Sequence, residues 1–472
     1  MPGRAAELAR RGVLTTLGGI MSALSSPSRP RLHYAWIVAA VTFLTLLAAA
    51  GGRAAPGVMI IPVCNEFQWS RATVSSIIAI NIFLYGLIGP FAAALYQSLG
   101  LRRTMLLAMT LIATGYGLST LATRYWQFVA LWGFVVGAGS GMAATVLGAA
   151  VATRWFTKQR GLVTGLLTAS TATGQLVFLP MLAKIVTTDG WRGAPWIVCA
   201  GAVAVLPVIW FFMRDEPADA GLAAYGDTPS PGLRRTGSGH QMPDVRSQRS
   251  EVGRQISDAG RRGNPAKQAI DTLIAAVRVR DFWLLAGSFF ICGASTNGLI
   301  GTHLVSAAFD CGIPEVRSAS LLAMMGMFDL VGTTMSGWLS DRFNCRYLLF
   351  SYYGLRGLSL LFLPSALVGP SAGLMIFGVF YGLDWIATVP PTVRLTAEVF
   401  GRERAGIVFG WVVAAHQLGA AFAAFTAGWL RTTTGAYTLA FTGAGVLCLI
   451  AAVGVLPVGR KLGSPVAATR ES

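Results

Sequence analysis

Six side chains that can hold a charge fall inside long apolar stretches of this 472-residue chain. A charged group inside an apolar helix is costly, so it is retained where it binds a solute, moves a proton or pairs with an opposite charge. Arginine can hold a carboxylate through two parallel hydrogen bonds, and histidine and carboxyl groups can carry protons. These residue types therefore favour the handling of anions and protons. The six are Arg53, His303, Asp329, Arg356, Asp384 and His416.

Arg53 is the one of the six that lies in the first half of the chain, and it is a candidate ligand for a carboxylate. It stands in the segment Gly-Gly-Arg-Ala-Ala-Pro-Gly, in the outer part of the first apolar stretch. Gly51, Gly52 and Pro56 weaken a helix, so we expect an unwound, positively charged segment beside a cavity. The alternative is an interfacial arginine whose guanidinium reaches the lipid headgroups.

The acids and imidazoles of the second half are candidates for proton coupling and substrate binding. Asp329 lies near the middle of its apolar stretch, where burial favours a neutral carboxyl group that can load and release a proton. The alternative for Asp329 is a structural ion pair with Arg356. Asp384 either pairs with Arg356 or lines the cavity and takes part in proton coupling. His416 either binds substrate, carries a proton or is a neutral histidine bonded to a neighbouring helix, and His303 is a weak candidate.

The loop at residues 337–346 reads Gly-Trp-Leu-Ser-Asp-Arg-Phe-Asn-Cys-Arg, which suits a tight turn between two membrane helices. A degenerate copy of this loop stands 244 residues earlier, with Gln97 in place of Asp341. The same offset aligns residues 156–160 with residues 400–404. One offset that serves two loops is typical of the internal repeats of transporters. Candidate gating residues in these loops are Gly337, Asp341, Arg342, Arg346, Arg160 and Arg404.

Membrane helices are needed to position these residues, and the composition is typical of such helices. The chain is 54% hydrophobic and only 12% charged, whereas a soluble domain is about 25% charged. About 20 apolar residues cross a bilayer as a helix, and twelve stretches approach that length, which predicts an all-α membrane protein. These predicted spans, numbered 1 to 12, are 34–61, 72–95, 103–121, 126–152, 159–183, 194–213, 282–307, 318–340, 347–364, 371–393, 405–430 and 436–458.

The spans form two pseudo-symmetric six-helix halves, separated by a polar segment rich in Arg, Gly, Pro and Ser. That segment predicts a flexible linker that ends in a short amphipathic helix near residues 269–279. Of the 37 Lys and Arg, 29 lie on the side of the termini and linker and six in the opposite loops. The positive-inside rule then predicts cytoplasmic termini. The predicted domains are a tail 1–33, a half 34–213, a linker 214–280, a half 281–460 and a tail 461–472.

The offset of 244 residues also relates the interiors of the two halves. It pairs Arg53 with Asn297 and Asp384 with Ser140, so charge in one half faces a neutral hydrogen-bonding group in the other. The chain contains no phosphate loop, catalytic triad or metal-binding cluster, which predicts neither an enzyme nor a cofactor. The candidate substrate ligands are Arg53, Asn297, His416, Tyr85 and Ser140.

The two loops resemble the signature loops of the major facilitator superfamily, which join helices 2 and 3 and helices 8 and 9. Within the superfamily, residues 33–460 resemble the branch of monocarboxylate transporters and oxalate–formate antiporters. The residues that carry this resemblance are Ala35-Trp36, Phe67-x-Trp69-Ser70-Arg71 and Arg160-Gly161. The resemblance implies the major facilitator fold, with two six-helix halves around a central cavity.

The resemblance also implies roles for single positions. Asp329 falls where monocarboxylate transporters keep a proton-linked aspartate, and Arg53 is close to their basic residue at the outer end of helix 1. His416 falls where oxalate–formate antiporters place a lysine that helps to bind the dianion. Both relatives have an arginine one turn after the aspartate position, where this chain has Thr333. The grip on a carboxylate must then come from Arg53, Arg356 or His416, unless the substrate is not a simple carboxylate.

These patterns predict a secondary transporter of the bacterial inner membrane. We expect it to move a small organic anion of the monocarboxylate class by alternating access, and to couple this movement to protons. We expect a monomer without a cofactor, whose partners are the substrate, protons and the lipid bilayer, and no nucleic acid. One alternative is a proton-driven exporter of drugs or metabolites, which needs no anion-binding arginine. The other alternative is a membrane sensor or scaffold that moves nothing.

Overall fold

The computed structural model describes residues 33–227 and 265–459. The predicted tails, except His33, and most of the predicted linker lie outside the described residues. Within the described residues the chain forms twelve helical spans, and its β-structure is one isolated bridge between Phe156 and Tyr225. The prediction of an all-α protein with twelve spans in two halves is confirmed.

The first half contains spans 1 to 6, each close to its predicted position. Ser70 is the N-cap of span 2, where its hydroxyl oxygen accepts a hydrogen bond from the backbone N–H of Thr73 at 3.1 Å. Gly100 joins spans 2 and 3 with a φ of 85°, a backbone conformation that favours glycine. The six spans are Tyr34–Phe67, Arg71–Ser98, Leu101–Ser119, Tyr125–Trp155, Arg160–Asp189 and Gly193–Phe212.

The second half begins after a short helix, Pro265–Ala276, which matches the amphipathic helix predicted near residues 269–279. The indole N–H of Trp411 donates to the carbonyl oxygen of Ala269 at 2.9 Å, which holds the short helix against span 11. Spans 7 to 12 are Arg280–Asp310, Glu315–Ser340, Cys345–Val368, Ser371–Phe400, Arg402–Thr434 and Thr438–Gly454.

The outer surfaces of the spans suit a lipid environment. Eight helices among the described residues are long and apolar enough to cross a membrane, and spans 3, 5, 9 and 12 complete the two halves. Large apolar side chains point outward from several spans, since Phe211 is 65% exposed, Phe380 60% and Ile450 58%. Such exposure is rare over the whole surface of a soluble protein, so lipid is the natural cover for these faces.

Span 1 is one continuous helix, Tyr34–Phe67, without the unwound segment that was predicted around Arg53. Gly51 and Gly52 instead allow neighbouring spans to pack closely. A Cβ atom at Gly51 would lie 3.1 Å from the ring of Phe178, and one at Gly52 would lie 3.2 Å from a tyrosine ring of span 3. The prediction of unwinding is wrong because tertiary packing outweighs the weak helix propensity of glycine.

Irregular helix occurs in spans 4, 7 and 10. Val129–Val136 of span 4 and Ala294–Ile300 of span 7 are π-helical, a form that is frequent at functional sites. Span 10 is interrupted between Asp384, where its first helix ends, and Val389, where its second helix begins. We call residues 385–388 the span-10 break.

The beginning of the predicted linker is folded onto the first half. The carboxylate of Asp215 accepts a hydrogen bond from the backbone N–H of Arg102 at 2.8 Å. The ring of Tyr225 packs edge-on against that of Trp36, with 5.8 Å between the ring centres. Residues 214–227 therefore belong structurally to the first half, and the expectation of a flexible linker is wrong for them.

The two halves meet along three pairs of spans, namely span 2 with span 11, span 5 with span 8, and span 1 with span 7. Glycines allow close approaches along these contacts. A Cβ atom at Gly428 of span 11 would lie 2.1 Å from Oγ of Ser75 in span 2. A Cβ atom at Gly57 of span 1 would lie 3.0 Å from the carbonyl oxygen of Gly301 in span 7. Larger side chains at these positions would push the halves apart.

Candidate functional site

Arg53 and Tyr85, two of the predicted substrate ligands, lie together on spans 1 and 2. The guanidinium carbon of Arg53 is 5.8 Å from the centre of the Tyr85 ring, which is a cation–π distance. Nη1 of Arg53 is buried and has no hydrogen-bond partner among the described residues. A buried donor without an acceptor is costly, so an arriving carboxylate oxygen would relieve this cost.

Arg356 is fully buried and forms an ion pair with Asp384. Its Nε donates to Oδ2 of Asp384 at 2.7 Å, and its Nη2 donates to the carbonyl oxygens of Asp384 and, at 3.2 Å, of Trp385. Its Nη1 lies 2.9 Å from Sγ of Cys292. All three nitrogens of Arg356 are thus engaged, and none is left for a substrate. The predicted pairing of Arg356 with Asp329 is wrong, because the partner is Asp384.

Asp329 contacts the span-10 break rather than an arginine. Its Oδ1 accepts hydrogen bonds from the hydroxyl of Thr333 and from the backbone N–H of Ile386, both at 2.9 Å. The resemblance implies an arginine at the position of Thr333, whereas in this chain the threonine donates a hydrogen bond to Asp329. Among the described residues Asp329 forms no ion pair, so it stays a candidate proton carrier.

Two further contacts hold the span-10 break. The hydroxyl of Ser336 in span 8 donates to the carbonyl oxygen of Ala387 at 2.5 Å. The hydroxyl oxygen of Thr388 lies 3.3 Å from Sγ of Cys292 in span 7. Backbone groups that a break frees within a membrane must be satisfied inside the protein. Side chains of spans 7, 8 and 9 contact the break and hold it in one conformation. In the sequence, Pro390 and Pro391, which follow the break at the start of the next helix, were the signal for this interruption.

The other three predicted substrate ligands lie on spans 4, 7 and 11. His416 of span 11 packs against span 7, with 5.2 Å between its ring centre and that of Phe289. Asn297 is half-buried in the π-helical part of span 7, and Ser140 is buried in span 4. In the part of the chain that the structure describes, no hydrogen bond or ion pair joins these residues to Arg53. Direct contact among the five candidates is therefore described for Arg53 and Tyr85 alone, and a shared binding site stays a prediction.

His303 makes structural contacts. It is fully buried, and its Nε2 lies 2.8 Å from the carbonyl oxygen of Ala424. Since a carbonyl oxygen only accepts, Nε2 carries the proton of the ring. Nδ1 lies 3.3 Å from the hydroxyl of Tyr437. These bonds tie span 7 to span 11 and to the start of span 12.

The loop between spans 8 and 9 is tied to span 10 by an ion pair. The carboxylate of Asp341 lies 3.3 Å from Nη1 of Arg394, and the guanidinium of Arg342 stacks over the ring of Trp338 at 3.9 Å. A Cβ atom at Gly337 would meet no atom within 4 Å. Close packing in this structure therefore does not require a glycine at this position.

The remaining predicted gating residues make fewer contacts. Nε of Arg346 is buried and has no hydrogen-bond partner among the described side chains, and Arg404 is exposed. The side chain of Arg160 lies outside the described residues. Within the structure, Arg394 of span 10 contacts both Asp341 of this loop and the carbonyl oxygen of Ser340 at the end of span 8.

At the face away from the termini, three charged residues tie the halves together. Asp310 at the end of span 7 accepts a hydrogen bond from Arg431 of span 11 at 2.6 Å and one from Arg71 of span 2 at 3.4 Å. Next to them, the hydroxyl oxygen of Thr432 accepts from the backbone N–H of Ala72 at 3.1 Å. We call Arg71, Asp310 and Arg431 the ion triad. No sequence pattern marks it, because its members lie far apart in the chain.

Known proteins match this chain over most of its length. The family model described as Major Facilitator Superfamily matches residues 41–392 and, in a second match, residues 321–471. Monocarboxylate transporter 12-B of Danio rerio is 28% identical over 370 residues, which cover 75% of this chain and 72% of that protein. Monocarboxylate transporter 13 of Rattus norvegicus is 25% identical and covers 90% and 88%. An uncharacterized MFS-type transporter of Bacillus subtilis, YcxA, is 23% identical and covers 87% and 91%.

Two solved structures share the fold. The crystal structure of a D-xylose-proton symporter superposes with a TM-score of 0.66 at 15% identity, covering 90% of this chain and 98% of that one. A partially occluded inward open conformation of the xylose transporter XylE from E. coli superposes with a TM-score of 0.63 at 16% identity, covering 89% and 96%. At such identities the likeness shows the fold alone.

Proposed function

The chain belongs to the Major Facilitator Superfamily, and from that premise we propose that it carries a small organic anion, a monocarboxylate by class, by alternating access. The observation that carries this proposal is the buried, unpartnered Nη1 of Arg53 beside Tyr85. Arg53 and Arg356 lie away from the ends of spans 1 and 9. Arg356 is engaged by its ion pair, which leaves Arg53 to hold a carboxylate. The monocarboxylate transporters among the relatives support the same substrate class.

Proton coupling is the second part of the proposal, with Asp329 as the carrier. Its carboxylate accepts a hydrogen bond from the N–H of Ile386 in the span-10 break. A change in the protonation of Asp329 therefore alters a contact that holds the span-10 break. Asp384 is bound to Arg356, which supports Asp329 over Asp384 for this role.

The protein is a multi-pass membrane transporter, and its setting is the third part of the proposal. We place it as a monomer in a bacterial inner membrane with both termini in the cytoplasm. The orientation is supported by the distribution of Lys and Arg, since 29 of the 37 lie on the side of the termini. In this orientation the ion triad lies outside the cell and the loop with Asp341 lies inside, where it serves as a gating loop.

Flux into proteoliposomes tests the proposed function. Uptake of labelled acetate and lactate is driven by a pH gradient, and exchange is measured at equal pH on both sides. Arg53→Gln should abolish both modes, and Arg53→Lys should keep part of the activity because an ammonium keeps the charge but loses the two-pronged geometry. Arg317→Gln is the matched control, since Arg317 is an exposed arginine at the face away from the termini. Undiminished monocarboxylate flux in Arg53→Gln would refute the assignment, and flux of cationic or neutral compounds alone would favour an exporter.

A further inference from the structure

A cleft of about 450 Å³ opens beside the ion triad, at the face away from the termini. Its lining carries amide, hydroxyl, thiol, indole and guanidinium groups but no carboxylate. Asn65 and Gln68 are exposed there and can donate hydrogen bonds, and Arg71 supplies the positive charge. An open site that carries one cation, neutral donors and no acid in its lining favours a small anion.

Arg71 is held less tightly than its neighbour in the ion triad. Its distance to the carboxylate of Asp310 is 3.4 Å, whereas Arg431 approaches the same carboxylate to 2.6 Å. Nη1 of Arg71 is buried and has no hydrogen-bond partner among the described residues. Glu315 interacts with Arg71 electrostatically but forms no ion pair with it within the described chain. Two guanidinium groups thus share one carboxylate, and the more weakly held one lines the cleft.

We propose that this cleft binds small carboxylates and that Arg71 is their ligand. A bound carboxylate competes with Asp310 for the guanidinium. Because Arg71 belongs to the first half and Asp310 to the second, binding removes one tie between the halves at this face. The proposal extends the proposed function, in which a transported anion would meet this site before Arg53, but binding itself does not require transport.

A native thiol can report whether the cleft is occupied. Cys64 lines the cleft and is free. The more accessible Cys199 and Cys311 are first replaced by serine, which leaves Cys64, 8% exposed where it lines the cleft, and three other buried cysteines. A membrane-impermeant methanethiosulfonate then labels Cys64 in the purified full-length protein, in rising sodium acetate or in sodium chloride of equal ionic strength. Acetate should slow the labelling and chloride should not, because bound acetate fills the cleft.

Substitutions in the ion triad should shift the acetate concentration that halves the labelling rate. Arg71→Gln should raise it about tenfold or more, because the charged ligand is lost. Asp310→Asn removes the competitor and should lower it about two- to fivefold, the effect of a weak, partly exposed ion pair. Arg431→Gln leaves Asp310 to Arg71 alone and should raise it by a similar factor. Glu66→Gln is the control, since Glu66 pairs with Arg192 outside the cleft.

Equal protection by chloride, or unchanged protection by acetate in Arg71→Gln, would overturn the proposal. If Arg71→Gln does not fold, Asp310→Asn and Arg431→Gln decide the matter, because shifts of the same sign or no shifts would overturn it. Protection by acetate in a protein that transports no monocarboxylate would uphold this site and refute the proposed function, which keeps the two failures distinct.

Discussion

Replacing Asp384 by asparagine would leave the guanidinium of Arg356 buried without its counter-charge. Arg356 has no exposed side-chain surface, and the side chain of Asp384 is 8% exposed. Removing one partner of such a buried pair costs about 3–5 kcal/mol, because a charge is left in a low-dielectric interior. Arg356→Gln should cost at least as much, since it also removes the donor to two backbone carbonyls, at about 1–3 kcal/mol each. Asp329→Asn should cost only about 1 kcal/mol, because an amide oxygen can still accept the N–H of Ile386.

Thermal unfolding in detergent, followed by size-exclusion chromatography of heated samples, ranks these variants. The midpoints of Arg356→Gln and Asp384→Asn should fall well below that of the wild type, with Asp329→Asn close to it. The double variant Arg356→Met with Asp384→Leu should recover part of the loss, because an apolar pair of similar size buries no charge. If Asp329→Asn lowers the midpoint as much as Asp384→Asn does, then Asp329 is the counter-ion and the pairing in the structure is refuted.

Three further outcomes test the transport cycle and the topology. Asp329→Asn should lose uptake driven by a pH gradient in proteoliposomes but keep exchange of labelled for unlabelled substrate, whereas intact pH-driven uptake would assign the proton to another group. Asp341→Asn should slow uptake severalfold with an unchanged KM, because its ion pair links spans 8 and 10, and a normal rate would reduce the loop to a turn. A reporter fused at residue 237 should be cytoplasmic and one at Pro314 external, and finding both on one side would contradict the proposed topology.

The positions of the spans could be predicted because they depend on local composition. A run of about 20 apolar residues satisfies its own backbone groups as a helix in a membrane, whatever its neighbours are. The span-10 break could not be predicted in this way. It depends on Asp329, Ser336 and Arg356, which lie 57, 51 and 29 residues before the groups of the break that they bind. Local sequence indicates that the helix is weak there, and only the tertiary structure supplies the partners.

The candidate site shows the same limit at two points. The sequence named both acids that could neutralise Arg356, since Asp329 lies on the preceding span and Asp384 on the following one. The rotation of span 9 decides between them, and that rotation is set by packing rather than by local sequence. At Gly51 and Gly52, helix propensity predicted unwinding, but contacts with spans 3 and 5 keep the helix intact. Residue types therefore predicted a chemistry for the site, and packing determines which of these groups already have a partner.

The balance of charges inside the spans predicts whether transport moves net charge across the membrane. Arg356 and Asp384 neutralise each other, which leaves Arg53 and Asp329 as the arginine and the acid away from the ends of their spans that form no ion pair among the described residues. With Arg53 positive and Asp329 negative, the empty carrier has no net interior charge. With an anion on Arg53 and a proton on Asp329, the loaded carrier has none either. Both forms can then reorient without moving net charge through the low-dielectric interior.

Transport should therefore be electroneutral, with one proton for each monovalent anion. The test is uptake into proteoliposomes at a fixed pH gradient, with a potassium diffusion potential of either sign imposed by valinomycin. Moving one net charge is worth about 2.3 kcal/mol per 100 mV, so an electrogenic carrier would respond strongly and this one should not. Asp329→Asn provides the internal contrast when net uptake is driven by the substrate gradient alone, because its empty form keeps the positive charge of Arg53 uncompensated and its return step should become sensitive to the potential. Potential-dependent uptake by the wild type would show that another charged group moves with the substrate.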